Sequence, residues 1–399
     1  MIGDEILTGR VVDLNLQAIA RRFSEIGIRV SSATAVPDSV QAISRAVRDA
    51  LETNGQVVCC GGLGPTSDDL TRQGLARAMR VRVVFSEKVM VQVRQRLAEM
   101  GHQELPIHRN YGKTLREFKI IPNPVGLAPG LLWRDRERFV LALPGVPEEA
   151  DAILQEAIPA MADISGENLA VGTVAVAGLR EAEIAARLAR FRRLSARVGF
   201  YPRLVEVILK VRAENSAKLA ELVGIVKQEL GEAVYSEEDE GLESALGRLL
   251  RQANLSLATA ESCTGGLVSH LITQVPGSSD YYRGGAVAYS AEAKSRILGV
   301  PEDLMARFSV YSTQVAEAMA AGAARVFSSD MAISTTCVAG PGPDGEHPAG
   351  KTAIGIFLRG KTRSLELDFR GQRAQVKMAV AKTALDLARR EVTTPPEKP

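Results

Sequence analysis

The chain has 399 residues, 46% of them hydrophobic and 24% charged, the composition of an ordinary globular protein of roughly two to three domains. Its 49 basic and 47 acidic residues leave a formal net charge of +2, which argues against a dedicated nucleic-acid surface, a local patch aside. No apolar run is long enough to cross a membrane and no signal-peptide core opens the chain, so neither a membrane span nor export by that route is expected.

Residues 11–26 carry apolar positions at helical spacing and stop at Gly27. Residues 28–35 read as a strand, 40–51 as a second helix and 56–60 as a short buried strand. Such alternation predicts a doubly wound, mostly parallel α/β sheet. The strand at 56–60 ends in Cys59 and Cys60 and runs into GGLGPTSDDL at 61–70. Gly61, Gly62 and Gly64 would let the backbone approach a phosphate closely, and Thr66 and Ser67 add hydroxyls. Asp68 and Asp69 would repel that phosphate unless a divalent cation lay between. Alternatively the two acids occupy a first helical turn, where the dipole favours them.

Strand-like 173–177, helical 181–191, strand-like 205–211 and helical 216–230 predict a small α+β module over 165–240. Arg187, Arg190, Arg192 and Arg193 read as a solvated face, because the G-x-x-G loop that clamps nucleotides is missing. Boundaries are placed at 163–168 and in the acidic run 236–241, and three prolines in 392–399 predict a mobile tail. The four cysteines, Cys59, Cys60, Cys263 and Cys337, show no C-x-x-C spacing and no cluster with histidine. A reducing, cytoplasmic setting is expected, without structural zinc or a disulfide framework.

Residues 255–260 form a strand pattern that runs through ESCTGG at 261–266 into a helical pattern. In parallel sheets this junction binds ligands, and the free N–H groups of residues 263–266 together with the helix dipole could meet an anion or an oxyanion. The competing reading makes Ser262 or Thr264 a helix N-cap. A second strand ends at Tyr289 and Ser290, with Lys294 in the helix after it. A third, 331–336, opens into a Gly/Pro-rich loop holding Gly340 and Gly342. A serine nucleophile needs a base, and a desolvated lysine can act as one. His347 lies in a polar loop with no evident carboxylate partner, so a Ser262–Lys294 pair is predicted. Arg370 and Arg373 bracket the start of the last helix and could grip a phosphate, or could simply be exposed arginines.

ESCTGG, GGAVAYSAEAKSRILGV at 284–300 and TCVAGPGPDG at 336–345, followed by Ala349-Gly350-Lys351-Thr352, resemble in that order the C-terminal domain of the competence/damage-inducible protein A (CinA) family. The resemblance covers about residues 250–390. It implies a deamidase that hydrolyses the carboxamide of nicotinamide mononucleotide (NMN) to nicotinic acid mononucleotide and ammonia, in pyridine-nucleotide salvage and without a cofactor. Ser262 would be the nucleophile, Lys294 the base and Tyr289 a hydroxyl that orients or relays the proton. Thr336 would hold substrate or steady the oxyanion, Thr264, Gly265, Gly266, Gly340 and Gly342 would line the substrate, and Arg373 would take the 5′-phosphate. Cys337 stands where most members have glycine, which would tighten the pocket.

GDEILTG at 3–9, GGLGPTSDDLT at 61–71, NPVGLAPG at 123–130 and LPGVP at 143–147 resemble the molybdenum-cofactor-biosynthesis-like N-terminal domain of the same family. That resemblance implies a metal-dependent ADP-ribose pyrophosphatase, with the diphosphate on Gly61, Gly62, Gly64, Thr66 and Ser67 and a divalent metal ion on Asp68, Asp69 and Asp4. Three departures bear on it. Two residues precede Gly3 where the family has an apolar strand, so a missing central strand, or a domain reduced to a structural remnant, is expected. Val36-Pro37-Asp38 replaces Val-Gly-Asp, and no Lys-Gln-Ala follows Asn110.

The expected architecture is thus a molybdopterin-binding-like doubly wound domain over 1–162, a KH-like α+β linker over 165–240, an α/β deamidase domain over 241–391 and a tail. The expected partners are NMN and ADP-ribose, with no membrane, no nucleic acid and a homodimeric assembly. Two further readings stand beside the deamidase. In one the N-terminal pyrophosphatase dominates; in the other the chain is a nucleotide-binding, competence-related protein with little or no catalysis.

Overall fold

A computed structural model describes residues 1–161, 170–191, 194 and 197–393. The expected boundary at 163–168, Arg192 and Arg193, and residues 394–399 of the tail lie outside them. The chain divides into two compact units, Met1–Asn168 and Leu169–Pro399, and its class is α/β.

In the first unit the strands are β1 (Gln56–Cys60), β2 (Val83–Phe85), β3 (Lys113–Leu115), β4 (Lys119–Ile121), β5 (Gly130–Asp135) and β6 (Arg138–Leu143). The main sheet runs β1-β6-β5-β4, and β2 pairs with β3. β6 shows why this sheet is covered on both faces. Val140 and Ala142 pack with Ile43, Val47 and Leu75, whereas Phe139, Leu141 and Leu143 pack with Phe23, Ile153 and Leu154. Period-two alternation sends both sets into apolar surroundings, so the whole strand is apolar. The mostly parallel pairing expected for this sheet is corrected. β1 and β6 are parallel, but β6-β5-β4 is antiparallel. β5 and β6 join through Arg136 and Glu137, and a two-residue link can return the chain only antiparallel.

The strand expected at 28–35 does not form. Val36 makes one parallel bridge to Ile2, whose N–H donates to the Cys60 carbonyl at 2.8 Å. Upstream of that point a cavity of about 800 Å3, lined by Ile28, Val30, Ala46 and Val58 among others, lies between residues 28–34 and β1. A segment that meets no second strand along its length does not become one, whatever its propensity.

The second unit holds two sheets. β7 (Ala170–Ala177), β8 (Val198–Pro202), β9 (Glu206–Ala213) and β10 (Val234–Ser236) form an antiparallel sheet ordered β10-β7-β9-β8. The Glu181–Leu188 and Ser216–Leu230 helices pack on it through Ile184, Leu188, Leu222 and Val226. Its other face joins the core of the second sheet: Ala175, Ala177, Ile208 and Tyr235 pack with Leu242, Leu246 and Leu385. The acidic run 236–241 therefore lies inside one compact unit.

The second sheet comprises β11 (Leu257–Glu261), β12 (Tyr282–Val287), β13 (Met331–Cys337), β14 (Lys351–Leu358) and β15 (Lys361–Asp368), ordered β12-β11-β13-β14-β15. β12, β11 and β13 are parallel, while β14 and β15 run antiparallel. Along β11, Leu257 faces one core and Ala258 and Ala260 face the other. Glu261 lies opposite Val287 and Thr335. The three parallel strands thus end at the same level, and the residues after them emerge at one edge.

Candidate active site

Glu261 is the last residue of β11 and is 1% exposed. Its carboxylate accepts the N–H groups of Gly266, Val268 and Ser269 at 2.9, 3.0 and 2.8 Å and the Ser269 hydroxyl at 2.6 Å. It thereby occupies the N-terminus of the Leu267–Thr273 helix. The expectation of an open helix end facing the ligand is corrected, because a buried carboxylate already balances the unpaired donors there. Neither Ser262 nor Thr264 caps this helix. Its N-cap is Gly266, at φ 93°, and the cap comes from Glu261.

The cap frees Ser262 for another partner. Lys294 Nζ donates to Ser262 Oγ at 2.8 Å and to the Ala288 carbonyl at 3.2 Å. Lys294 is 2% exposed and Ser262 6%. Burial pushes the lysine down from its ordinary 10.5 to about 8, since removing water disfavours the ammonium. Its position follows from local rules. Ser290 Oγ caps the Ala291–Leu298 helix by accepting from the Ala293 N–H at 3.1 Å, and Lys294, one turn on, faces the end of β11. The Ser262 N–H donates to the Thr335 carbonyl and the Gly265 N–H to the Ser262 carbonyl. The N–H groups of Cys263 and Thr264, the two residues after Ser262, have no hydrogen-bond partner among the described residues.

Other predicted residues are placed differently. The Thr264 hydroxyl meets the Thr335 hydroxyl at 2.7 Å in the core, so it is turned away from the crevice. Thr336 donates its hydroxyl to the Val310 carbonyl at 2.8 Å and has only lone pairs left to offer. Tyr289 is corrected as a proton relay. It is 60% exposed, and its hydroxyl accepts from Arg373 at 2.8 Å instead of meeting Lys294. The strand has ended, Ala288 points inward and Tyr289 points to the rim, while Lys294 reaches Ser262 directly. Arg373 also donates to the Gly340 carbonyl at 2.7 Å, bridging two loops at the mouth of the site. Gly342 and Arg370 are exposed. The loop after β13 is held by the Tyr311 hydroxyl donating to Asp344 and by Tyr311 edge-on against His347.

Sequence reasoning missed Glu261, Thr335 and Tyr311, and it is corrected on the cysteines. Cys263 and Cys337 form a disulfide with Cα atoms 5.4 Å apart. The signal was register. Glu261 lies opposite Thr335, so the residues two positions further on are also neighbours. Cys59 and Cys60 are buried free thiols, and burial pushes both upward, to about 11 and about 12.

In the first unit the Gly61–Asp69 loop is largely self-satisfied. Gly61 has φ 106°, and a Cβ there would lie 2.1 Å from the Ile2 carbonyl oxygen. Its N–H goes to the Leu143 carbonyl. Asp69 accepts the N–H groups of Gly64 and Thr66, each at 2.8 Å, and the Thr66 hydroxyl lies between Asp68 and Asp69. That contact holds the Asp68 carboxyl below its usual range. Of the predicted cradle, the N–H groups of Gly62 and of the exposed Ser67 have no hydrogen-bond partner among the described residues. The Asp4 N–H donates to the Asp38 carboxylate at 3.0 Å. The Asp38 carboxyl is raised, first by burial and then by the charges of Asp4, Glu5 and Asp68. Among the described residues no three His, Cys, Asp or Glu side chains are grouped to hold a metal ion. Of the predicted ligand set, Asp68 and Asp69 meet at the Thr66 hydroxyl, and Asp69 also serves its own loop. Likewise, no described helix is long and apolar enough to cross a membrane.

Fold and site together define an α/β protein whose parallel strand ends hold a serine against a buried, weakly basic lysine. The chain matches the CinA C-terminal domain family over residues 239–392 and the family described as "Probable molybdopterin binding domain" over residues 1–163. A CinA-like protein of Geobacter metallireducens is 36% identical over 406 residues, covering 98% of each chain. One of Citrifermentans bemidjiense is 36% identical over 402 residues, covering 98% of this chain and 96% of its own. The protein belongs to the CinA family. A solved structure, CinA of unknown function from Thermoplasma acidophilum, is 34% identical and covers 40% of this chain and 94% of its own, at a TM-score of 0.37.

Proposed function

We propose that the Ser262 site hydrolyses the carboxamide of nicotinamide mononucleotide to nicotinic acid mononucleotide and ammonia. The observation that carries this reading is the 2.8 Å contact between Ser262 Oγ and a lysine whose burial leaves part of it unprotonated near neutral pH. The amine takes the Ser262 proton as Oγ attacks the carboxamide carbon. The developing oxyanion meets the free N–H groups of Cys263 and Thr264, donors already in place. The ammonium then protonates the departing nitrogen, ammonia leaves, and an acyl ester remains on Ser262. Water attacks that ester, its proton passes to Lys294, and the returning proton frees the serine and the carboxylic acid. The choice of nicotinamide mononucleotide among amides rests on the resemblance to the family; the geometry supports the amide chemistry.

The test is ammonia release from nicotinamide mononucleotide by purified protein and by Ser262→Ala. Release by the former and none by the latter is expected. Equal release by both overturns the assignment, and binding without release by either favours the non-catalytic reading. An ADP-ribose arm with and without chelator, following AMP, examines the N-terminal domain separately.

A further inference from the structure

The Cys263–Cys337 disulfide stands where the two strands that carry the site part company. Up to Thr335 hydrogen bonds tie them. The Ser262 N–H donates to the Thr335 carbonyl at 2.9 Å, and the Thr264 and Thr335 hydroxyls meet at 2.7 Å. Beyond that level the partners differ: the Val338 N–H turns to the Lys351 carbonyl and the Thr336 hydroxyl to the Val310 carbonyl, while the Gly265 N–H folds back on Ser262. No hydrogen bond among the described residues joins residues 263–266 to residues 336–350, so the sulfur bond is what tethers the turn to the loop. Cys263 directly follows the serine, and its N–H and that of Thr264 are the donors assigned to the oxyanion. Cys337 opens the loop whose Gly340 carbonyl receives Arg373. Cys59 and Cys60 offer a contrast. Neighbours on β1, they lie in separate cores on opposite faces of the sheet and remain free thiols. Cys263 and Cys337 are 4% and 6% exposed, but residues 341–346 of the adjoining loop are exposed.

We propose that Cys263 and Cys337 are a reversible redox-modification site that sets the rate of amide hydrolysis, the disulfide form being the fast enzyme and the dithiol form the slow one. The proposal rests on the amidohydrolase reading for what is switched, but not for the existence of the switch. Local opening of the exposed loop, with the strands intact, admits the small reagents. Reduction takes two electrons and two protons from a dithiol. Its thiolate attacks one sulfur to give a mixed disulfide, its second thiol closes on the first, and Cys263 and Cys337 are left as thiols. The return uses a hydroperoxide: one thiol becomes a sulfenic acid with loss of water, and the other displaces its oxygen as a second water. Two thiols and one hydrogen peroxide thus yield one disulfide and two waters. Ser262 keeps its Lys294 and Thr335 partners in both states. What the dithiol form loses is the fixed aim of the two oxyanion donors, whose benefit depends on their being in place before charge develops.

The experiment follows ammonia release from nicotinamide mononucleotide by the full chain with the bond closed, after dithiothreitol, and after reoxidation with hydrogen peroxide. Alkylation and peptide mass spectrometry read the state of each cysteine. Reduction should lower kcat about tenfold with KM nearly unchanged, and reoxidation should restore it. Cys337→Ala should show the reduced rate in every state. Equal kcat with the bond closed and open overturns the proposal, as does a bond that never forms or that dithiothreitol cannot open in the folded protein. A second measurement does not use turnover and needs no variant: on reduction, hydrogen exchange of the amides at residues 263–266 should quicken and that of β7 and β9 should not. Should the wild type release no ammonia in any state, the amidohydrolase reading fails, and exchange alone decides for the redox site. Unchanged exchange at 263–266, or quickening throughout the unit, overturns it.

Discussion

Two glycine-rich strand-to-helix turns, one in each unit, use their polar groups in opposite ways. After β1, the loop's own acid closes the loop: Asp69 takes two of its N–H groups, and the Thr66 hydroxyl is held between Asp68 and Asp69. After β11, the acid stands outside the reactive turn. Glu261 saturates the helix behind, so Ser262 meets Lys294, and the N–H groups of Cys263 and Thr264 have no partner among the described residues. Both turns offer glycines, hydroxyls and carboxylates, so motif content alone does not separate them. The difference lies in which donors are still free once the chain has met its own needs.

The comparison is most exposed to a change at Lys294. Lys294→Arg keeps a positive charge but cannot yield a proton in this range, so ammonia release should fall by at least about 10³-fold. Near-normal kcat/KM would mean that the serine is not activated as described. A second break targets the bond beside it. Closing a loop between cysteines 74 positions apart stabilises the fold by about 4 kcal/mol in the chain-entropy picture, so Cys337→Ser should lower unfolding free energy on that scale. Denaturation midpoints that coincide, with and without reductant, would show that the strand ends are not joined.

The two acids themselves sharpen the contrast. Glu261→Ala strands four donors in a buried site and should cost about 3 kcal/mol, whereas Asp69→Ala, in a loop that water can reach, should cost about 1 kcal/mol and leave ammonia release unchanged. Similar losses in chemical denaturation would erase the distinction between the turns. The smallest effect is in pH. The free amine is the active form and increases as pH rises through about 8, so kcat/KM should climb to a plateau and stand about tenfold below it at pH 7. A profile already flat at pH 7 would remove Lys294 from the role of base.

Much of this was legible in the chain. β11 and β13 are largely apolar, buried strands with polar residues at or just after their ends, and parallel strands put such ends side by side, so pairing Ser262 with Lys294 needed only the helix start at Ser290. What stayed hidden depended on partners distant in sequence. Tyr289 looked like part of the machinery because it ends a strand, but the inward position belongs to Ala288. The cysteines looked inert because their spacing along the chain, not their register across two strands, was considered. Residues 28–35 read as a strand but pair with no strand among the described residues. β4 to β6 follow one another without an intervening helix, and their short links fold them back antiparallel.

Burying Lys294 sets catalysis and folding against each other. In the unfolded chain its pKa is 10.5 and in the fold about 8. Below pH 8 both states carry the proton, and the fold must hold an ammonium where water is excluded. Above 10.5 neither does, so stability from this group rises with pH across that window. At neutral pH the difference amounts to about 3 kcal/mol against the native state. A library screened for heat resistance alone at pH 7 should therefore converge on apolar replacements at position 294. Each step of that enrichment would carry the population away from turnover.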